Sequence, residues 1–200
     1  ISVGAHANIF LPLIEFLGLK ALIVTDADFV GGEHNKACQY CDLKTTSNAT
    51  IKRLLPKETA SADKLQLLYS SGGLYIFKPT EGNGWQKSDE GLLCLTFQAK
   101  TTDSSTGEPY YPRSFEDAFI FENRSFLSKN IDSFKSLCSE AAKASFKDEE
   151  KTPYDLAKTI EKKTSFAMDI LLASQATQQE KSDEADWKIP SYIERGLAWL

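Results

Sequence analysis

The run Ala21-Leu22-Ile23-Val24 followed by Thr25-Asp26-Ala27-Asp28 constrains this chain more than any other stretch. A short, unbroken apolar run rich in β-branched residues suits a strand buried on both faces, as in a parallel sheet. The run ends in two carboxylates spaced two residues apart. Residues i and i+2 lie on the same side of an extended chain, so Asp26 and Asp28 can converge on a hard divalent cation such as Mg²⁺ or Mn²⁺. Open α/β sheets collect their ligands beyond this edge of the strands. The competing reading is a strand that simply ends in an acidic turn.

Composition narrows the classes. At 200 residues, 42 % hydrophobic and 26 % charged, the chain can bury one ordinary core or a core plus an insertion. No apolar run reaches the length of a membrane span, so no membrane association is expected. With a net charge of −5 the chain advertises a basic face only weakly, which counts against DNA binding by this piece alone, although an acidic nuclease site can draw its positive field from bound cations. Four unevenly spaced cysteines do not read as a disulfide framework and point to a reducing cytoplasm. The chain opens at Ile1-Ser2-Val3 as if inside a strand, without Met or leader, which reads as an excised domain.

Along the chain, Gly4-Ala5-His6 is expected to end a first strand. Ile9, Phe10, Leu13, Ile14, Phe16 and Leu17 then recur at helical spacing, and Gly18 closes that helix. Strand, helix, glycine and strand in succession predict a βαβ unit with a parallel pair. Residues 29–45 lack periodicity and are expected to form a loop. His34, Cys38 and Cys41 within it have zinc-like spacing but no evident fourth ligand. Asn48 and its neighbours are placed to cap a helix that Pro56 stops. A short helix over Asp63–Tyr69, a strand over Leu74–Phe77, a polar loop at 79–90 and a strand over Leu92–Gln98 follow. After the Ser-, Thr- and Pro-rich connection Thr101–Pro112, helical patterns dominate. Arg113 to Phe119 opens one helix, with Ser114 able to cap it, and residues 131–152 are the most insertion-like part. Pro153 restarts a helix expected to run through Lys162 and Lys163 to Ala173. Residues 174–186 read as a polar loop, and the aromatic end from Trp187 to Leu200 as a docked terminal helix.

Several patches in this order resemble the C-terminal Toprim domain of class 2 OLD-family (overcoming-lysogenization-defect) nucleases, to which the nuclease subunit of the Gabija anti-phage system is related. The patches are Val3-Gly4-Ala5, Phe16-Leu17-Gly18-Leu19 running into Ile23-Val24-Thr25-Asp26-Ala27-Asp28, and Thr46-Ser47-Asn48 with Thr50-Ile51-Lys52. Arg113-Ser114-Phe115-Glu116, Lys163-Thr164-Ser165-Phe166-Ala167 and the closing Pro190-Ser191-Tyr192-Ile193 with Gly196-Leu197 and Trp199-Leu200 complete the set. The resemblance implies an α/β fold: a mainly parallel sheet of about four strands flanked by helices, with C-terminal helices and a helical insertion around 100–160. It implies that residues 1–200 are a partial Toprim nuclease domain lacking the upstream glutamate motif, which would supply further metal ligands. It also implies an N-terminal ATPase domain in the same protein, a homo-oligomer, a helicase partner, DNA as substrate and a bacterial cytoplasmic role in phage defence or DNA processing.

For phosphodiester hydrolysis the resemblance assigns Asp26 and Asp28 to a two-metal Mg²⁺ or Mn²⁺ site. It adds Glu116 as a ligand for a second ion with Ser114 beside it, Asp117 being a weaker choice. Lys163, three residues before Phe166-Ala167, is the cation for phosphate charge, in preference to Lys162. Structurally, Glu116 would otherwise be an acidic residue in a helix's first turn, and Lys163 a solvated helix residue whose loss costs little stability. Two other classes compete. One is a different phosphoryl-transfer enzyme with a DxD motif, of haloacid-dehalogenase type, although the Thr/Gly context after the second aspartate is missing. The other is a non-catalytic interaction or dimerisation module.

Overall fold

Ala21–Val24 forms a strand, and it runs parallel to the strand at Leu93–Thr96, with Ile23 opposite Leu95. The computed structural model describes residues 4–32, 34, 36–82, 84–103, 106–137, 139–178 and 187–200. Its first elements are α1 (Leu11–Leu17), β1 (Ala21–Val24), β2 (Phe29–Gly31), β3 (Lys36–Ala37) and β4 (Leu43–Thr46). Then come α2 (Ala49–Leu54), α3 (Ala62–Ser70), β5 (Leu74–Thr80), β6 (Gly84–Lys87), β7 (Leu93–Thr96), β8 (Thr101–Thr102) and β9 (Pro109–Tyr110). The remainder is helical: α4 (Phe115–Glu122), α5 (Arg124–Asn130), α6 (Glu140–Lys147), α7 (Pro153–Lys158), α8 (Lys163–Gln178) and α9 (Ser191–Trp199). The chain divides into two compact units, one of residues 1–114 with 191–200 and the other of residues 115–190.

The first unit is α/β. Its main sheet has the order β1-β7-β5-β6, and only the β1–β7 pair is parallel. The expectation of a mainly parallel sheet is therefore corrected to a mixed one. The link of residues 81–83 between β5 and β6 is too short for a crossover, so those neighbours must run antiparallel. β1 is an edge strand among the described residues, and Val24 is 43 % exposed, so the expected burial on both faces does not hold. Its inward residue Ile23 joins a core with Phe29, Ile51, Leu65, Tyr69, Phe77, Leu95 and Phe97.

Several local expectations hold. Gly18 ends α1 in the left-handed region at φ 62°, where a side chain would be strained, and its N–H bonds back to the carbonyls of Ile14 and Glu15. Asn48 caps α2, its side-chain oxygen accepting from the Ile51 N–H. α9 packs on β7 and β1 because Gly196 lets it approach closely: a Cβ there would stand 2.8 Å from Thr96 Cγ2.

Others change. The expected loop of residues 29–45 contains three short strands, β2, β3 and most of β4, paired antiparallel in the order β3-β2-β4, with β2 wholly buried. Strands of two to four residues are too short to display a period. The supposed loop at 79–90 contains the end of β5 and all of β6. Gly4–Phe10 is 3-10 helix kinked at His6, while the expected first strand at Ile1–Val3 lies outside the described residues.

The second unit is helical, built around Phe119, Ile120, Leu127, Phe134, Phe146, Leu156, Phe166 and Ile170. The single helix expected from Pro153 to Ala173 is two. The Thr159 hydroxyl donates to the Leu156 carbonyl and Ile160 turns into the core, so α7 closes and α8 begins at Lys163. α8 extends through Gln178, and the rest of the expected 174–186 loop lies outside the described residues.

Candidate active site

The turn Thr25–Asp28 leaves the C-terminal end of β1 and is held by side chains from four other elements or their ends. Asn48 donates its amide to Thr25 Oγ1 at 2.7 Å and to the Asp26 carbonyl at 2.8 Å. Ala27 is the buried pivot. Its N–H donates to Gln98 Oε1 at 2.7 Å, while its carbonyl accepts from Thr46 Oγ1 at 2.7 Å and from the Tyr69 hydroxyl at 2.8 Å. Burial pushes the Tyr69 hydroxyl well above the usual tyrosine range, so it remains a proton donor to that carbonyl.

With Ala27 fixed inward, the flanking Asp26 and Asp28 both remain half-buried. Asp26 Oδ1 accepts from Gln98 Nε2 at 2.7 Å. Asp28 sits at φ 51°, the one positive φ of a non-glycine among the described residues, a region aspartate tolerates better than most. Such backbones persist where surroundings over-determine them. Here the Asp28 N–H donates to the Arg113 carbonyl at 3.3 Å, and the Ser47 N–H donates to the Asp28 carbonyl at 3.0 Å. The Arg113 guanidinium stands 3.8 Å from Asp28 Oδ1 and donates through Nε to the Phe29 carbonyl.

Asp26 and Asp28 offer hard oxygen donors of the kind Mg²⁺ and Mn²⁺ take, and Mg²⁺ is commonly held by only one or two carboxylates beside water and phosphate. The donor chemistry of the turn thus fits such an ion. Among the described residues no three His, Cys, Asp or Glu side chains converge as a metal cluster, and this applies to His34, Cys38 and Cys41 too. Cys38 and Cys41 are free thiols lining a cavity of about 510 Å³ with Lys36, Asp42 and Lys44; Asp26 and Asp28 do not line it.

In the helical unit, Glu116 in the first turn of α4 is 6 % exposed, and Asp117 beside it 1 %. Lys163 at the start of α8 donates to Glu116 Oε2 at 3.0 Å. The two residues singled out by the resemblance are therefore partners within this unit. Lys163 is accordingly not a merely solvated lysine, although 60 % of its side chain is exposed. Phe166 is fully buried and its N–H bonds to the Lys162 carbonyl, which fixes this turn of α8. Ser114, at the end of the first unit, is buried.

Sequence reasoning assigned no role to Gln98 or Tyr69, named Arg113 only at a helix start and within a patch carrying the resemblance, and gave Asn48 no part beyond such a patch and its cap. A polar residue ending the strand alongside β1 was the available signal for Gln98. Tyr69 gave none, because an aromatic on an amphipathic helix reads as core.

Among the described residues no helix is long and apolar enough to cross a membrane. No family model matches the chain, and no solved structure matches it. The chain is 28 % identical over 206 residues to Endonuclease GajA of Bacillus cereus (strain HuB5-5). That similarity covers 98 % of this chain and 26 % of the relative, so the chain spans about a quarter of the length of the curated protein it resembles.

Proposed function

We propose that this chain is the Toprim-type nuclease part of a metal-dependent DNA endonuclease of the OLD class, active in phage defence or DNA processing. The observation that carries the reading is the Thr25–Asp28 turn. Two carboxylates stand at the end of β1 on a backbone fixed by Asn48, Thr46, Tyr69 and Gln98. The similarity of nearly the whole chain to an endonuclease supports the reaction class.

In this reading Asp26 and Asp28 bind Mg²⁺ or Mn²⁺, and Arg113 and Ser47 keep Asp28 in its left-handed backbone conformation. A divalent ion there would supply positive charge beside the scissile phosphate and acidify water for attack. Glu116, with Ser114, serves a second ion, and Lys163 neutralises phosphate charge. The remaining ligands are the upstream glutamates implied by the resemblance. Control by an ATPase domain of the same protein, a homo-oligomer and a helicase partner belong to the same proposal.

The test is cleavage and ATP hydrolysis by the full-length protein. Asp26→Ala and Asp28→Ala each abolish nicking of DNA while leaving ATP hydrolysis largely intact. Undiminished cleavage in both variants removes the turn from the chemistry. One observation favours a second reading, a non-catalytic interaction module. Ile9, Leu13, Phe16, Leu17 and Leu19, in and around α1, are 49–85 % exposed. Metal-dependent nicking lost on alteration of Asp26 decides against it.

A further inference from the structure

Gln98 joins the carboxylate turn to α9, and the reaction proposed above gives it no part. The orientation of its amide follows from its partners. The Ala27 N–H can only donate, so the oxygen end of Gln98 must face it, at 2.7 Å. The Nε2 end then has two hydrogens and two acceptors, Asp26 Oδ1 at 2.7 Å and the Tyr192 hydroxyl at 3.0 Å. Gln98 is 1 % exposed and Tyr192 4 %, so the contact between them is shielded from water, while the one to Asp26 is part-buried. Tyr192 is itself seated on the sheet, its carbonyl accepting from Thr96 Oγ1 at 2.8 Å.

We propose that Gln98 is the positioning residue for Asp26, fixing the rotation of its carboxylate for a divalent cation, and that Tyr192 of α9 in turn fixes the Gln98 amide. This rests on the reading of Asp26 as a metal ligand. A carboxylate already tied through one oxygen loses less rotational freedom when it binds an ion. Groups that orient a ligating side chain in this way are typically worth about 10- to 100-fold in metal affinity or activity. The seating of α9 is therefore felt at the carboxylate turn, through one buried hydrogen bond to Tyr192 and one part-buried bond to Asp26.

The experiment measures Mn²⁺ affinity of the full-length protein by the electron paramagnetic resonance of the free ion, without DNA or turnover. Gln98→Met keeps the length of the side chain and removes the amide; it weakens Mn²⁺ binding about tenfold. Tyr192→Phe, which leaves the Gln98 bonds to the turn in place, weakens it by less. Leu93→Val, a core truncation at the far end of β7, leaves the affinity unchanged. Unchanged affinity in a folded Gln98→Met overturns the proposal, and so does an equal loss in Leu93→Val, which would reduce Gln98 to a stability effect. If Gln98→Met does not fold, Tyr192→Phe decides: a weakened affinity supports the proposal and an unchanged one overturns it. Asp26→Ala separates the two levels. If it leaves Mn²⁺ binding intact, the metal reading fails and this inference with it. If it lowers binding while Gln98→Met does not, only the positioning role fails.

Discussion

The two places where candidate residues meet are built on different principles. The Thr25–Asp28 backbone is held by mostly buried neutral hydrogen bonds from Asn48, Thr46, Tyr69 and Gln98, with one longer ion pair, Arg113 to Asp28 at 3.8 Å, beside them. Glu116 instead meets a formal charge, Lys163, whose side chain is 60 % exposed at one end of the pair and whose partner is 8 % exposed at the other. Buried neutral bonds fix geometry and are indifferent to salt. A half-exposed ion pair is screened by salt and can exchange its partner for another anion. The turn thus has the character of a scaffold, and the Lys163–Glu116 pair that of a contact that salt can loosen.

That contrast can be sharpened by variants. The largest effect on stability is expected at Asn48, which is fully buried and serves both α2 and the turn. Asn48→Ala removes a helix cap and two donated bonds, a loss of about 3 kcal/mol in chemical unfolding. Gly196→Ala comes next. The added methyl meets Thr96 and Leu22, the latter at 3.1 Å, and costs about 1–3 kcal/mol by overpacking, read in the same unfolding curves. Lys163→Ala costs about 1 kcal/mol, and because the lysine end of the pair is 60 % exposed, part of that loss vanishes in about 1 M salt. The Asn48→Ala loss should not respond to salt in this way, and a parallel salt dependence of the two would erase the distinction. Lys162→Ala is expected to shift stability by less than about 0.5 kcal/mol and to leave cleavage nearly unchanged, whereas Lys163→Ala lowers cleavage strongly.

How far the sequence could be read depended on the range of the interactions involved. β1, the Gly18 cap of α1, the Asn48 cap of α2 and the terminal helix α9 follow from residues that are neighbours in the chain. The α/β class follows from them. The antiparallel partners of β7 were not legible, because strand direction is set by link length and by pairings far apart in sequence. The short strands β2 to β4 left no period to detect. The two aspartates were visible as a pair, but their support was not. Gln98 is 72 residues from Asp26 and Tyr69 is 42 from Ala27, and neither type advertises such a role. The break between α7 and α8 hung on one hydroxyl, that of Thr159, competing for a helix carbonyl.

The central claim is that Asp26 and Asp28 together hold a divalent cation. Its most direct test is calorimetric titration of Mn²⁺ into the full-length protein, compared with Asp28→Asn, which keeps the size of the side chain and removes its charge. The account predicts binding in the wild type that is lost or strongly weakened in Asp28→Asn, with unfolding behaviour preserved. No binding to the wild type at millimolar Mn²⁺, or binding that Asp28→Asn leaves untouched, would contradict it.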